Sequence, residues 1–301
     1  MLDKIPRRRD NKKKSCRFQT ETPCIQTENG SLKKRKEEEK IMKRRWLAAL
    51  TAAALLVLNL FGVGYTSENA PETLKIVTWN IRHGNDRLAL QRDQLKALDA
   101  DVCFLQEVDE GSERMQGSSC LNILGRGLYY GRYFGGGTPF ENGLFGRGML
   151  TKKRLLSFEA EPEIHQPIVE SGFTRGVLRQ NGRTISLYNV HFSFSSDNHR
   201  AYQIAALADS FLADENPYKI IAGDFNLRDF SELEVFSEYG IVNSDETYYP
   251  TYQGLDWVTQ AIDNVIYTDD TLRPLSAEMI VNGLSDHNAL AVTFEFLDPE
   301  E

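Results

Sequence analysis

The sequence predicts a mixed-sheet α/β domain, and three observations predict it. Short apolar runs bounded by turn residues, such as Ile220 to Ala222 before Gly223, read as buried strands. Between such runs lie segments of helical spacing, as at Leu88, Leu95 and Leu98. Finally, the pair Asn181-Gly182 joins two β-rich stretches, which is a hairpin signal. Helices interspersed with strands, and a hairpin among them, fit neither a pure βαβ repeat nor an all-β sandwich. No internal repeat is visible.

The elements follow in order. Leu74 to Ile81 is β-rich and runs into the turn signal Arg82-His83-Gly84. Asp86 to Leu98 reads as a helix, and Val102 to Val108 as a second buried strand. Residues 109–142 are rich in glycine and polar residues and read mostly as loop. Gly143 to Leu150 and Leu155 to Phe158 are weaker strand patterns. Thr174 to Arg179 and Thr184 to Phe192 flank the Asn-Gly turn. Asp197 to Leu212 is a helix with Ile204, Leu207 and Phe211 on one side. The run ending at Gly223-Asp-Phe-Asn226 is the central strand. Ser231 to Tyr239 reads as a short helix, and Ile262 to Tyr267 and Leu290 to Phe296 as the last strands.

Upstream, the chain changes character. Residues 1–45 are a charged leader with nothing to build a core, and they read as disordered. Residues 46–65 carry no charge, and their 20 residues are long enough to span a bilayer. Two readings stand side by side. If translation starts at Met42, Lys43-Arg-Arg45 and the apolar run form a secretory signal. If the whole chain is made, the run is an uncleaved anchor with its basic side in the cytoplasm. Both place the remainder outside the cytoplasm, secreted or tethered. Residues 66–73 are a linker, and 74–297 form the globular domain, expected to be monomeric. Residues 1–70 carry 16 Lys+Arg against 8 Asp+Glu, which leaves residues 71–301 at a net charge of −16. An acidic domain repels polyanions and weighs against a tight nucleic-acid binder. The four cysteines form no CxxC pair, which excludes an ordinary structural zinc site. Cys103 reads as a buried thiol, and a Cys103–Cys120 disulfide is the open alternative.

Polar residues recur at the ends of the apolar strands. Asn80 ends the first and Glu107 the second. His191 ends the return strand of the hairpin, and Asp224 with Asn226 ends the central one. Asp263 opens its strand, and Asp286-His287 precedes the last. Residues two apart share a face of a strand, so Asp224 and Asn226 point to one side if the strand continues through both. A hydrolytic metal site draws on such residues: carboxylates bind a hard cation, and a carboxylate behind a histidine fixes its tautomer. Each residue has an ordinary structural reading too, as turn cap, solvated strand end or core hydrogen bonder. What favours chemistry is their shared position.

Taken together, Trp79-Asn80, Gln106-Glu107-Val108, Asn189-Val-His191, Gly223-Asp-Phe-Asn226, Ile262-Asp263 and Ser285-Asp-His287 resemble the ordered motif set of the endonuclease/exonuclease/phosphatase superfamily, the DNase-I-like fold. The resemblance spans about residues 74–296. It implies a four-layer α/β sandwich, two packed mixed sheets flanked by helices, with a site at one end. It also implies Mg2+, or Mn2+ in its place, held chiefly by Glu107 with Asn80 and Asp286 nearby. By the same resemblance, Asp224 orients or deprotonates water, Asn226 and His191 hold the phosphate, and His287, polarised by Asp263, contacts it. Arg175 adds a cationic substrate contact; His83, close after the first motif, reads either as a substrate-pocket residue or as a turn residue. Whether Asp224 or His287 is the base stays open. The chain departs from the pattern at Gly146-Arg147-Gly148, where members often carry Gly-Asn-Ala, so His191 lacks an assigned carboxylate partner; Glu141 is a weak candidate. The resemblance implies metal-dependent hydrolysis of a phosphoester; the segment 46–65 adds export, and the acidic domain favours a small phosphoester or a lipid head group. A secreted endonuclease and a non-catalytic membrane-anchored binding module are the alternatives.

Overall fold

A computed structural model of the chain describes residues 42–43, 73–83, 86–160, 172–254 and 259–297. The apolar segment 46–65 and nearly all of the leader and linker lie outside them. Among the described residues no helix is long and apolar enough to cross a membrane.

Alternating burial builds two six-stranded sheets. In the first, the strand order is β13 (Leu272–Ile280), β14 (Ala289–Phe296), β1 (Thr73–Asn80), β2 (Val102–Glu110), β4 (Gly143–Thr151) and β3 (Gly131–Phe140). In the second it is β5 (Leu155–Ala160), β6 (Phe173–Gln180), β7 (Arg183–His191), β8 (Tyr218–Asp224), β12 (Asp263–Tyr267) and β9 (Gly240–Ile241). A small pair, β10 (Tyr252–Gln253) and β11 (Thr259–Gln260), stands apart. Both sheets are mixed: β1 runs parallel to β2 and β7 to β8, while the other pairs are antiparallel.

The strands put alternate residues on opposite faces, and the two faces are buried differently. Ile76, Phe104, Met149, Leu187, Ile220, Val265 and Val292 meet in one core between the sheets. On the first sheet, Val77, Trp79, Cys103 and Leu105 turn outward beneath α1 (Leu88–Leu98) and α2 (Cys120–Gly125). On the second, Tyr188, Val190 and Ile221 turn outward beneath Leu207 and Phe211 of α3 (Asp197–Leu212) and Phe236 of a 3-10 helix, Phe230–Phe236. The result is helix, sheet, sheet, helix: a four-layer sandwich in which every strand face that matters is covered.

Three expectations need correction, and the reading of Cys103 as a buried thiol holds. Residues 109–142 are not mostly loop, for they hold the end of β2, all of α2 and all of β3. β3 is an edge strand with the sequence GRYFGGGTPF and a bulge between Gly135 and Thr138, so it carries a single β-branched residue, Thr138, and no strict alternation. β13 is a further strand that sequence patterning missed. It is an edge strand, largely exposed, with Pro274 at a register shift, which is where a sheet tolerates proline. The short helix after the central strand is 3-10, capped by the Asp229 side chain accepting from Ser231 N at 2.9 Å. Cys103 and Cys120 are both buried free thiols rather than a disulfide.

Candidate active site

Period-two geometry delivers the polar residues to one place. Ile220 and Ala222 face the inter-sheet core, and Asp224, two further on, continues that face to the end of β8. The same arithmetic carries β7 from Leu187 through Asn189 to His191 and β1 from Ile76 to Asn80. Register then aligns the ends: Asp224 pairs with His191 on one side and with Asp263 on the other. Asn80 reaches across from the first sheet, donating from Nδ2 to Asp224 Oδ2 and to Glu107 Oε1, each at 3.1 Å.

Gly223 makes the close approach of β7 and β8 feasible. Its φ is +155°, and a Cβ there would lie 2.1 Å from the Val190 carbonyl oxygen. Beyond Asp224 the strand ends, and Asn226 takes a left-handed conformation with φ 50°. The extended geometry needed to set Asn226 beside Asp224 is therefore absent. Asn226 instead folds back, donating its backbone N–H to Asp224 Oδ1 at 3.0 Å and its Nδ2 to the Phe192 carbonyl at 3.0 Å. Glu107 also differs from expectation. It is not a strand end but sits within β2, at a bulge between Leu105 and Val108, with φ 56°. The extra residue turns its side chain toward Asn80 while Leu105 and Val108 both stay in the outer core. Asp286 is tied in nearby. Ser285 Oγ donates to the Asn80 carbonyl at 2.8 Å, and Asp286 Oδ2 lies 3.5 Å from Arg82 Nε.

The charged core of the site is a buried relay. His287 Nδ1 is 2.8 Å from Asp263 Oδ2, and its Nε2 is 3.7 Å from Asp224 Oδ2. Burial alone would lower the His287 pKa, but the Asp263 and Asp224 carboxylates outweigh it and hold the imidazole protonated well above its usual range. Burial, then the neighbouring Asp263 charge, pushes Asp224 up from the ordinary carboxylate range, while His287 and the Asn80 hydrogen bond pull the other way. His191 Nε2 lies 3.6 Å from Asp224 Oδ2, so Asp224 is the carboxylate next to it. Burial, with smaller contributions from Arg147 and His287, lowers His191 to about 3 and keeps its ring neutral.

Two donor groups here suit a cation. Ligand atoms of Asp224, Asp263 and His287 all lie within 4.8 Å of one another, and Asp263 Oδ1 is buried without a hydrogen-bond partner. The same trio is joined internally by the His287–Asp263 hydrogen bond and the approach of His287 to Asp224. The Glu107 carboxylate, with the Asn80 amide and the part-exposed Asp286 carboxylate, is a hard-oxygen set of the kind divalent cations prefer.

Two expected site residues are placed otherwise. Arg175 faces outward beneath Tyr188, with its Nη2 2.7 Å from Asp214 Oδ2, so it serves the second sheet's outer layer rather than the substrate. Glu141 is exposed on the β3–β4 turn, where it accepts from Arg114 N. His83 follows Asn80 by three residues, and Arg114, Glu107 and Asp109 are among the charges that act on it. Burial lowers its pKa first, and Arg114 adds to that.

Several contributors were not read from the sequence. Asn189 donates to the Leu105 and Gly148 carbonyls and accepts from Gln106 Nε2 at 2.8 Å, stitching the two sheets together beneath the site. Its place in Asn189-Val-His191, two before His191, was the available signal. The Tyr252 ring lies against His287 at 5.0 Å between centroids. Arg147, at the departure noted above, is 3 % exposed and packs where a Gly136 side chain would otherwise be.

Comparison with known proteins agrees with this geometry. Residues 77–287 match the model of the Endonuclease/Exonuclease/phosphatase family. No curated protein sequence matches the chain. Among solved structures, a humanized TDP2 of D. rerio is 21% identical with a TM-score of 0.59, covering 74% of this chain and 99% of that one. An endonuclease/exonuclease/phosphatase from Beutenbergia cavernae is 17% identical with a TM-score of 0.61, covering 74% and 72%. The human Nocturnin catalytic domain is 17% identical with a TM-score of 0.58, covering 77% and 100%. These likenesses show the fold, a pair of six-stranded sheets between helices. With the family model spanning most of the chain, the conclusion is that this protein belongs to the endonuclease/exonuclease/phosphatase family of metal-dependent phosphoester hydrolases.

Proposed function

We propose that the chain hydrolyses a phosphodiester or phosphomonoester carried by a small molecule or lipid head group, using Mg2+. The observation that carries this reading is Asp224. It is 1 % exposed, and it is held between the Asn80 amide, His191 and a protonated His287. A carboxylate whose pKa is raised toward neutrality is suited to take a proton from water, which supports the reading of Asp224 as general base. Asn226 fixes the orientation of that carboxylate through its backbone N–H. His287, backed by Asp263, presents a positive charge to the phosphoryl oxygens, and neutral His191 offers a hydrogen bond on the other side. Glu107, Asn80 and Asp286 would hold the cation. When bound, it supplies charge neutralisation at the phosphoryl oxygen.

The acidic domain and the uncharged segment 46–65 support a compact or lipid-borne substrate and an exported, extracytoplasmic enzyme, secreted or anchored. A nuclease is the second reading, since TDP2 of D. rerio, solved with a single-strand DNA product, shares the fold. The test is a substrate panel with Mg2+: inositol phosphates, phospholipid vesicles and single-stranded DNA, each with wild type and Asp224→Asn. Preference for the first two supports the proposal. Turnover confined to DNA would replace it with the nuclease reading, and turnover of none would overturn both.

A further inference from the structure

The polar partners of His287 fix most of the residue but leave its ring one freedom. Its carbonyl accepts from Trp79 Nε1 at 3.0 Å, and its backbone N–H donates to Ser285 Oγ at 3.1 Å. The ring is held at Nδ1, 2.8 Å from Asp263 Oδ2. Nothing comparable holds Nε2. It lies 3.7 Å from Asp224 Oδ2, beyond hydrogen-bonding distance. A ring bonded at one nitrogen can pivot about that bond, and the pivot swings Nε2.

Tyr252 stands against that swing. Its ring lies beside the imidazole, 5.0 Å between centroids with the planes inclined at 58°. Aromatic pairs favour such tilted contacts over a flat sandwich. The two backbones hold the rings together. Tyr252 and His287 form an antiparallel bridge, and hydrogen bonds tie the residues on either side of them. Asn288 N donates to the Thr251 carbonyl at 2.6 Å, and Gln253 N donates to the Asp286 carbonyl at 2.8 Å. Thr251 Oγ1 also accepts from Asp263 N at 3.0 Å. One short segment therefore braces both the histidine and the carboxylate behind it. Tyr252 is itself partly buried, and among the described residues its hydroxyl has no hydrogen-bond partner. What it offers His287 is the face of its ring.

We infer that Tyr252 is a positioning residue, its ring limiting the pivot of the His287 imidazole about the Asp263 bond and so keeping Nε2 directed at the phosphoryl group. This rests on the phosphoester reading above. Tyr252 acts through His287, and its hydroxyl is dispensable.

The test uses the full chain with Tyr252→Phe and Tyr252→Leu, assayed on an aryl phosphodiester with Mg2+. Phenylalanine keeps the ring, so its kcat should stay within about twofold of wild type. Leucine keeps apolar bulk without a flat face. It should lower kcat and kcat/KM equally, by about tenfold, because the lost alignment matters in the transition state. Tyr252→Leu at wild-type kcat, or Tyr252→Phe as impaired as Tyr252→Leu, overturns the inference. So does a loss that tracks Tm across both variants, which is the signature of packing alone. A second readout needs no turnover. The 13C relaxation order parameter of the His287 Cε1–H bond reports ring motion directly. It should match wild type in Tyr252→Phe and fall in Tyr252→Leu; equal values in wild type and Tyr252→Leu refute the positioning role. Absence of turnover in wild type refutes the phosphoester reading instead, and the order parameters then decide alone whether Tyr252 holds the ring.

Discussion

Asp224 is where burial, charge and hydrogen bonding converge. Replacing it with asparagine keeps the shape and removes the base, so kcat should fall by about 10^3-fold with the circular dichroism spectrum unchanged. His287 makes a prediction of a different kind. In metal-free protein its imidazole should remain protonated at pH 8 by 15N NMR, and Asp263→Asn should bring its titration down, since Asp263 is the first of the charges that raise it. The sign for stability follows: a group raised in the folded state stabilises fully below its ordinary value of 6.5, and that contribution is lost as pH rises through the raised value. Most of these residues were legible in the sequence because strand periodicity ends on them. Asn80, His191 and Asp224 needed only counting in twos. Glu107 and Asn226 were found by type and place, but not their geometry, since a bulge and a left-handed turn follow from no periodicity. Arg175 was misplaced for the opposite reason: strand alternation sends it to the outer face, where Asp214 holds it.

β7 and β8 form the element pair on which the site depends, and Gly223 and Asn189 are its two narrow points. Gly223→Ala would drive a Cβ into the Val190 carbonyl, 2.1 Å away, and should cost about 3 kcal/mol or more in denaturant unfolding because backbone must move. Asn189→Ala removes three buried hydrogen bonds between the sheets and should cost about 3 kcal/mol at roughly 1 kcal/mol each. These central strands read clearly from sequence because both faces are apolar. The edges did not. β3 and β13 each have one pairing partner, carry glycine or proline and a bulge, and stay partly exposed, so the pattern that marks a buried strand is missing from them.

The domain of residues 73–297 is a sandwich whose outer layers shield the sheets as thoroughly as its centre does. Cys103 and Cys120 report on that shielding, since both are buried in the outer core of the first sheet. Burial pushes the Cys103 thiol up to about 12, and Cys120 is raised as well. Neither should react with iodoacetamide at pH 8 until the protein unfolds, as mass spectrometry would show. The four-layer order was legible only through the family resemblance. Alternating patterns indicate that two sheets must bury their faces, but not which strand lies beside which. The most direct measurement is hydrolysis of an aryl phosphodiester by wild type and Asp224→Ala, each with Mg2+ and with EDTA. Turnover by wild type that EDTA abolishes and the substitution removes is the expected result. Turnover that survives EDTA, or that Asp224→Ala retains, would contradict a metal-dependent site built around Asp224.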